Sequence, residues 1–139
     1  MKYLLDTCLL SELVRKKPNI GVVRWFERVE ESTLYLSSLT IGELQKGISK
    51  LPDNPRKEKL QAWVSNDLVS RFDGRILDID TEVATAWGVL QGTREQKGVV
   101  LPAIDSLIAA TAMVHKLTVV TRNTKDIERC HVKAFNPWE

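Results

Sequence analysis

Short apolar runs of strand length alternate with stretches of helical periodicity from one end of the chain to the other. Tyr3-Leu4-Leu5, Leu34-Tyr35-Leu36, Ile76-Leu77-Asp78-Ile79 and Thr118-Val119-Val120-Thr121 read as strands, the last strongly β-branched. Between the first two, Val22, Trp25, Phe26 and Val29 recur at i, i+3, i+4 and i+7, the pattern of an amphipathic helix. Strands that alternate with helices pair in parallel, because each helix carries the chain back across the sheet. The pattern therefore predicts an α/β fold with a mainly parallel sheet. In such folds ligands bind beyond the carboxyl ends of the strands.

Local signals refine this outline. A helix is predicted after Asp6, with Leu9, Leu10, Leu13 and Val14 on one side, stopping near Lys17-Pro18-Asn19. Ser37-Ser38-Leu39-Thr40 offers caps for another, and Thr40 with Glu43 has capping-box spacing. Pro52-Asp53-Asn54-Pro55 is a turn before a helix that points Leu60, Trp63, Val64 and Leu68 inward. Asp80 caps a helix bearing Val83, Trp87 and Leu90, and Pro102 fits the first turn of the next. Val132–Phe135 is the last expected strand. With 139 residues, a single domain over 1–139 is expected.

Composition excludes several classes. The chain is 43% hydrophobic and 27% charged, an ordinary soluble balance without low-complexity tracts. No run reaches membrane-span length, and Asp6, Ser11 and Glu12 break the one stretch that imitates a signal peptide. Cys8 and Cys130 lack metal-ligand spacing and read as reduced thiols of a cytoplasmic protein. The net charge of +2 does not by itself identify a nucleic-acid binder. Basic residues cluster at Arg15-Lys16-Lys17, at Arg56-Lys57 with Lys59, and at Arg122 with Lys125. Each cluster alone is a solvated face; beside an acidic metal site it could hold phosphates. Trp25, Trp63 and Trp87 occupy core positions of helices, while Trp138 is undecided.

Four acids do not fit a purely structural account. Asp6 ends the apolar run of the first strand, and Asp105 interrupts Leu101-Pro102-Ala103-Ile104-Asp105-Ser106-Leu107-Ile108-Ala109-Ala110. A carboxylate among apolar neighbours is costly unless a cation or hydrogen-bond donors compensate it. Glu43 lies between Gly42 and Gly47, which leave a bare helix surface able to admit a metal, its waters or a substrate backbone. Asp126 follows Thr121-Arg122-Asn123-Thr124-Lys125, where Asn123 is an alternative for the same role. Asp6 and the Arg122–Asp126 segment fall at the same sheet edge. Oxygen ligands without a Cys/His cluster favour Mg2+ or Mn2+ over zinc. The chemistry that follows is phosphodiester hydrolysis.

The motifs Tyr3-Leu4-Leu5-Asp6-Thr7, Ser38–Leu44 with Gly47-Ile48, Leu101–Ala112 and Val120–Asp126 occur in an order that resembles the PIN-domain ribonucleases, specifically the VapC-like and FitB-like toxins of bacterial toxin–antitoxin pairs. The resemblance covers essentially the whole chain. It implies an α/β/α three-layer sandwich and Mg2+- or Mn2+-dependent cleavage of RNA, often as a homodimer. It implies Asp6, Glu43 and Asp105 as the core acidic triad; some relatives carry the fourth acid where this chain has Asn123, and here Asp126 can supply that charge to the metal site instead. It further implies a cognate VapB-like or FitA-like antitoxin. A haloacid-dehalogenase-type phosphatase would want a second aspartate where Cys8 stands. A PIN-like domain that only binds RNA or a partner is the other alternative.

Overall fold

The computed structural model describes residues 1–138. Five strands form one parallel sheet: β1 (Tyr3–Leu5), β2 (Leu34–Ser37), β3 (Ile76–Leu77), β4 (Thr118–Val120) and β5 (Ala134–Phe135), in the order β3-β2-β1-β4-β5. The chain steps outward from β1 on one side, then returns to β1's other edge with β4. The switch in direction thus falls between β1 and β4, where Leu4 pairs with Val119 and Leu5 with Val120. A crevice opens beyond the carboxyl ends at such a point.

Period-2 alternation sends neighbouring residues of the central strands to opposite faces. Leu5, Leu36 and Val120 join one core with Leu9, Leu10, Val22, Trp25, Leu44, Ile48, Val64, Leu68 and Phe72. Leu4 and Val119 join the other with Leu90, Ile108, Ala109, Ala112 and Ile127. Helices α1 (Thr7–Leu13), α2 (Ile20–Arg28), α3 (Ser38–Ser49), α4 (Pro55–Ala62) and α5 (Val69–Arg71) serve mainly the first core. Helices α6 (Thr81–Gln96), α7 (Ala103–His115) and α8 (Thr124–Glu128) serve the second. This is the three-layer α/β/α arrangement expected from the sequence.

Several local expectations shift. The first helix ends at Leu13 rather than near Lys17. Leu9 and Leu10 are fully buried, whereas Leu13 and Val14 are half-buried. The third strand stops at Leu77, before Asp78-Ile79. The last strand is confined to Ala134-Phe135. The helix after the Pro52–Pro55 turn does not run straight on: Trp63–Leu68 widens into a π-helical segment that sets Val64 and Leu68 into the core. Pro102 stands at the N-cap of α7, one residue before its first turn. Asp80 caps α6 as expected, accepting the Val83 N–H at 2.9 Å.

Candidate active site

Asp6 leaves β1 and opens α1 in the same step. Its Oδ1 accepts the Thr7 N–H at 2.8 Å, a helix cap. Its Oδ2 accepts the Thr121 hydroxyl at 2.7 Å and lies 3.7 Å from the Cys8 thiol. The two roles therefore coexist on one carboxylate, one oxygen for the helix and the other for β4. Thr121 is fully buried at the end of β4, and its oxygen also accepts the Asn123 N–H at 3.1 Å. Burial pushes the Cys8 thiol up, and the charge of Asp6 adds to this.

Glu43 comes from α3. The capping box expected between Thr40 and Glu43 does not form, because Ser37 caps the helix and Thr40 is already inside it. Glu43 instead turns to α1 and accepts the Thr7 hydroxyl at 2.5 Å. Gly42 and Gly47 line a cleft of about 560 Å³ beside it, together with Thr7, Lys46, Lys50 and Ile104. A Cβ at either glycine would meet nothing within 4 Å, so the bare surface faces open space.

Asp105 lies half-buried in the first turn of α7. That turn is tethered through its neighbour. Ser106, fully buried, donates to the Pro102 carbonyl at 2.7 Å and accepts from Trp87 Nε1 at 3.0 Å and Gln91 Nε2 at 2.9 Å. Trp87 is thus half-buried and hydrogen-bonded to α7 rather than simply core. Burial raises the Asp105 pKa, and the charges of Asp6, Asp126 and Glu43 raise it further, in that order. Three of the acids singled out in the sequence therefore act on the fourth, Asp105. Asp126, in the first turn of α8, is the member of the Asn123/Asp126 pair that brings a charge to Asp105.

Cations are scarce around this cluster. Among the described residues, Asp6, Glu43 and Asp105 have no ion-pair partner, and Asp126 meets only Arg129, at 3.8 Å. No three His, Cys, Asp or Glu side chains there stand close enough to grip one ion jointly. The donor set nevertheless suits a hard cation: all are carboxylates, three of them act on Asp105 by repulsion, and Glu43 borders an open cleft. Magnesium takes one or two carboxylates directly and keeps several waters, so it does not need a closed protein cage.

A family model described as PIN domain matches residues 3–131. The chain belongs to the PIN-domain family. Toxin FitB of Neisseria gonorrhoeae is 37% identical over 135 residues, covering 97% of each chain. VapC ribonuclease Y4jK of Sinorhizobium fredii is 33% identical over 135 residues, covering 97% of this chain and 96% of the relative. The crystal structure of FitAcB from Neisseria gonorrhoeae superposes on this PIN domain with a TM-score of 0.92 at 36% identity, covering 99% of each chain.

Sequence reasoning singled out Asp105 and the three acids that act on it, but not the residues that hold these side chains in place. Thr7, Ser106 and Thr121 lie inside the quoted motifs and Trp87 reads as core, but nothing in the sequence marks them, or Gln91, as partners of the acids or of their helix turns.

Proposed function

We propose that this PIN domain is the toxin of a toxin–antitoxin pair and hydrolyses RNA phosphodiester bonds with the help of Mg2+ or Mn2+. The observation that carries the reading is that Asp6, at the carboxyl end of β1, acts with Glu43 and Asp126 on Asp105, while among the described residues Asp6, Glu43 and Asp105 have no ion-pair partner. The ribonuclease and toxin names of the relatives support the same reading.

Each residue has a part. Asp6 and Asp105 would hold the cation, with Glu43 and Asp126 reaching it directly or through water. A bound divalent cation supplies Lewis acidity and offsets charge on the phosphate and the leaving oxygen. Thr121 fixes the rotamer of Asp6, and Thr7 fixes that of Glu43. Trp87 and Gln91 hold the first turn of α7 through Ser106, so Asp105 is set on a rigid element. Lys46 and Lys50 in the adjoining cleft attract phosphate without pairing with the acids.

The antitoxin has a place to bind. A second cavity of about 250 Å³ runs from Thr7 and Glu43 between α1, α3 and α4, lined by Val14, Leu44, Ile48, Leu60 and Trp63. It suits an amphipathic partner helix, and a partner arginine at its acidic end would make charge-assisted hydrogen bonds in place of the metal.

Purified protein is incubated with total RNA in Mg2+, in Mn2+ and in excess chelator, beside Asp6→Asn and Asp105→Asn. Cleavage in metal is expected, with each variant at least 10-fold slower, about 1.4 kcal/mol in barrier. Full activity in chelator, or in both variants, overturns the mechanism. Expression alone should be toxic and relieved by a small co-purifying partner; absence of both removes the toxin assignment.

A further inference from the structure

Beyond the acids, the end of β4 carries an arginine held from two sides. Arg122 follows Thr121, the residue that holds Asp6. Its guanidinium lies 3.6 Å from the Glu12 carboxylate and 4.5 Å from the centre of the Trp138 ring. Glu12 is buried, only 4% exposed. Burial works against its charge, but the Asn19 N–H at 2.9 Å and Arg15 at 3.2 Å outweigh it and hold the carboxyl below its ordinary range. Glu12 is thus a fixed anion beside Arg122. About half of the Arg122 side chain still faces solvent.

Trp138 also lines a cavity of about 480 Å³ with Arg24, Trp25, Arg28, Phe135 and Pro137. No carboxylate is among the described lining residues, and neither Arg24 nor Arg28 is in an ion pair there. The two arginines are exposed and stand at i and i+4 on α2, so both face one stretch of any chain laid along it. Phe135 is 39% exposed and tilted against Trp25 at 5.9 Å, leaving an aromatic surface open to a base. Glu12, at Arg122, lies five residues on from Thr7, at the acids, which is about 7.5 Å along α1. That span is about two stacked nucleotides.

We propose that Arg122, Trp138, Phe135, Arg24 and Arg28 form a subsite for single-stranded RNA, holding nucleotides that flank the bond placed at the acidic cluster. Arginines contact phosphates, and the aromatic faces take a base without regard to its identity. Charge decides for a polyanion over a protein helix, because the groove presents unpaired arginines rather than a continuous apolar stripe. The inference rests on the ribonuclease reading, and its test separates the two.

A fluorescent single-stranded RNA of about 12 nucleotides is titrated with the full chain in EDTA at several salt concentrations. The proteins are wild type, R24A/R28A, F135A and K97A/K116A, the last removing the same charge from exposed positions elsewhere. Melting temperatures verify folding, and wild-type RNA cleavage in Mg2+ is measured in parallel. Loss of two phosphate contacts should flatten the slope of log affinity against log salt by about 1.4 in R24A/R28A. F135A should bind about tenfold more weakly with its slope unchanged. K97A/K116A should match wild type. If R24A/R28A and F135A bind like wild type while wild type cuts RNA, the subsite is wrong and the nuclease reading stands. A protein partner as the true occupant gives that same result. If wild type neither binds nor cuts RNA, both fall.

Discussion

Thr121→Val tests whether Asp6 is aimed by β4. The substitution keeps the side chain's shape and replaces the hydroxyl with a methyl. It removes the 2.7 Å bond to Asp6 Oδ2, a hydrogen bond to a charged group worth about 1.5–3 kcal/mol. It also strips the Asn123 N–H of its acceptor, but Asn123 is exposed and water replaces that bond. The added methyl, buried in a fully enclosed position, returns about 0.8 kcal/mol. The net is a loss of about 1–2 kcal/mol in urea unfolding. Activity should fall further than this suggests, because a freed Asp6 carboxylate adopts rotamers that no longer face Asp105. Loss of a residue that orients a ligand typically lowers metal affinity or activity about 10- to 100-fold. Thr121→Ser separates the two effects: it keeps the hydroxyl, so cleavage stays near wild type while stability drops by about one methyl. Cleavage rates are read against Mg2+ concentration for all three proteins. Wild-type rate and metal dependence in Thr121→Val would refute the idea that this hydroxyl positions Asp6.

Two further outcomes follow from the charge balance at Asp105. Its folded pKa is raised, so between the unfolded and folded values the native state holds the extra proton, and stability falls as pH rises through that window. Metal-free Asp105→Asn should therefore have a higher urea midpoint than wild type at neutral pH, and the gap should close as pH drops through the folded Asp105 range; a gap independent of pH would disprove the electrostatic origin. Mg2+ at ten times its Kd should add about 1.4 kcal/mol to wild-type stability, about 5 °C in Tm, and much less to Asp105→Asn. Equal thermal scans in metal and in chelator would mean that the acids do not form one cation site.

Strands and acids were legible in the sequence because both signals are local. Tyr3-Leu4-Leu5 and Thr118–Thr121 declare themselves by residue type, and placing Asp6 and the segment after Thr121 at one edge needs only the rule that such strands run parallel. The partners of the acids were not legible. Thr121 and Asp6 are 115 residues apart, and nothing near either one names the other. Glu43 shows how a local rule loses to a distant one. Its spacing from Thr40 suits a capping box, but the helix begins earlier at Ser37, and the hydroxyl that reaches Glu43 belongs to Thr7 on another helix. Trp87 reads as core from periodicity alone, since the Ser106 oxygen that its N–H reaches lies on α7. The burial of Glu12 was equally hidden, because its compensating donors come from Asn19, Arg15 and Arg122.

The placement of Arg122 bears on why the acids remain unpaired. Successive residues at a strand end point to opposite sides, so Thr121 can face Asp6 while Arg122 faces Glu12. Had the acids been retained for stability, this arginine, one residue away, would be the cheapest compensation for their mutual repulsion. It is instead engaged by the buried Glu12 carboxylate, which also accepts from Asn19 and Arg15, and by the Trp138 ring. The consequence is a separation of charge over about one and a half turns of α1, with carboxylates at its start and a fixed guanidinium toward its end. A neutral ligand gains nothing from that arrangement. A polyanion whose reacting phosphate arrives with its own divalent cation gains at both ends, since the cation meets the acids while the next phosphates meet arginine. Reversing the pair should therefore damage binding more than removing either charge. Glu12→Gln frees Arg122 to pair with Asp6, and the expected result is weaker metal-induced stabilisation together with weaker RNA binding. Unchanged values for both would show that Glu12 only fills space.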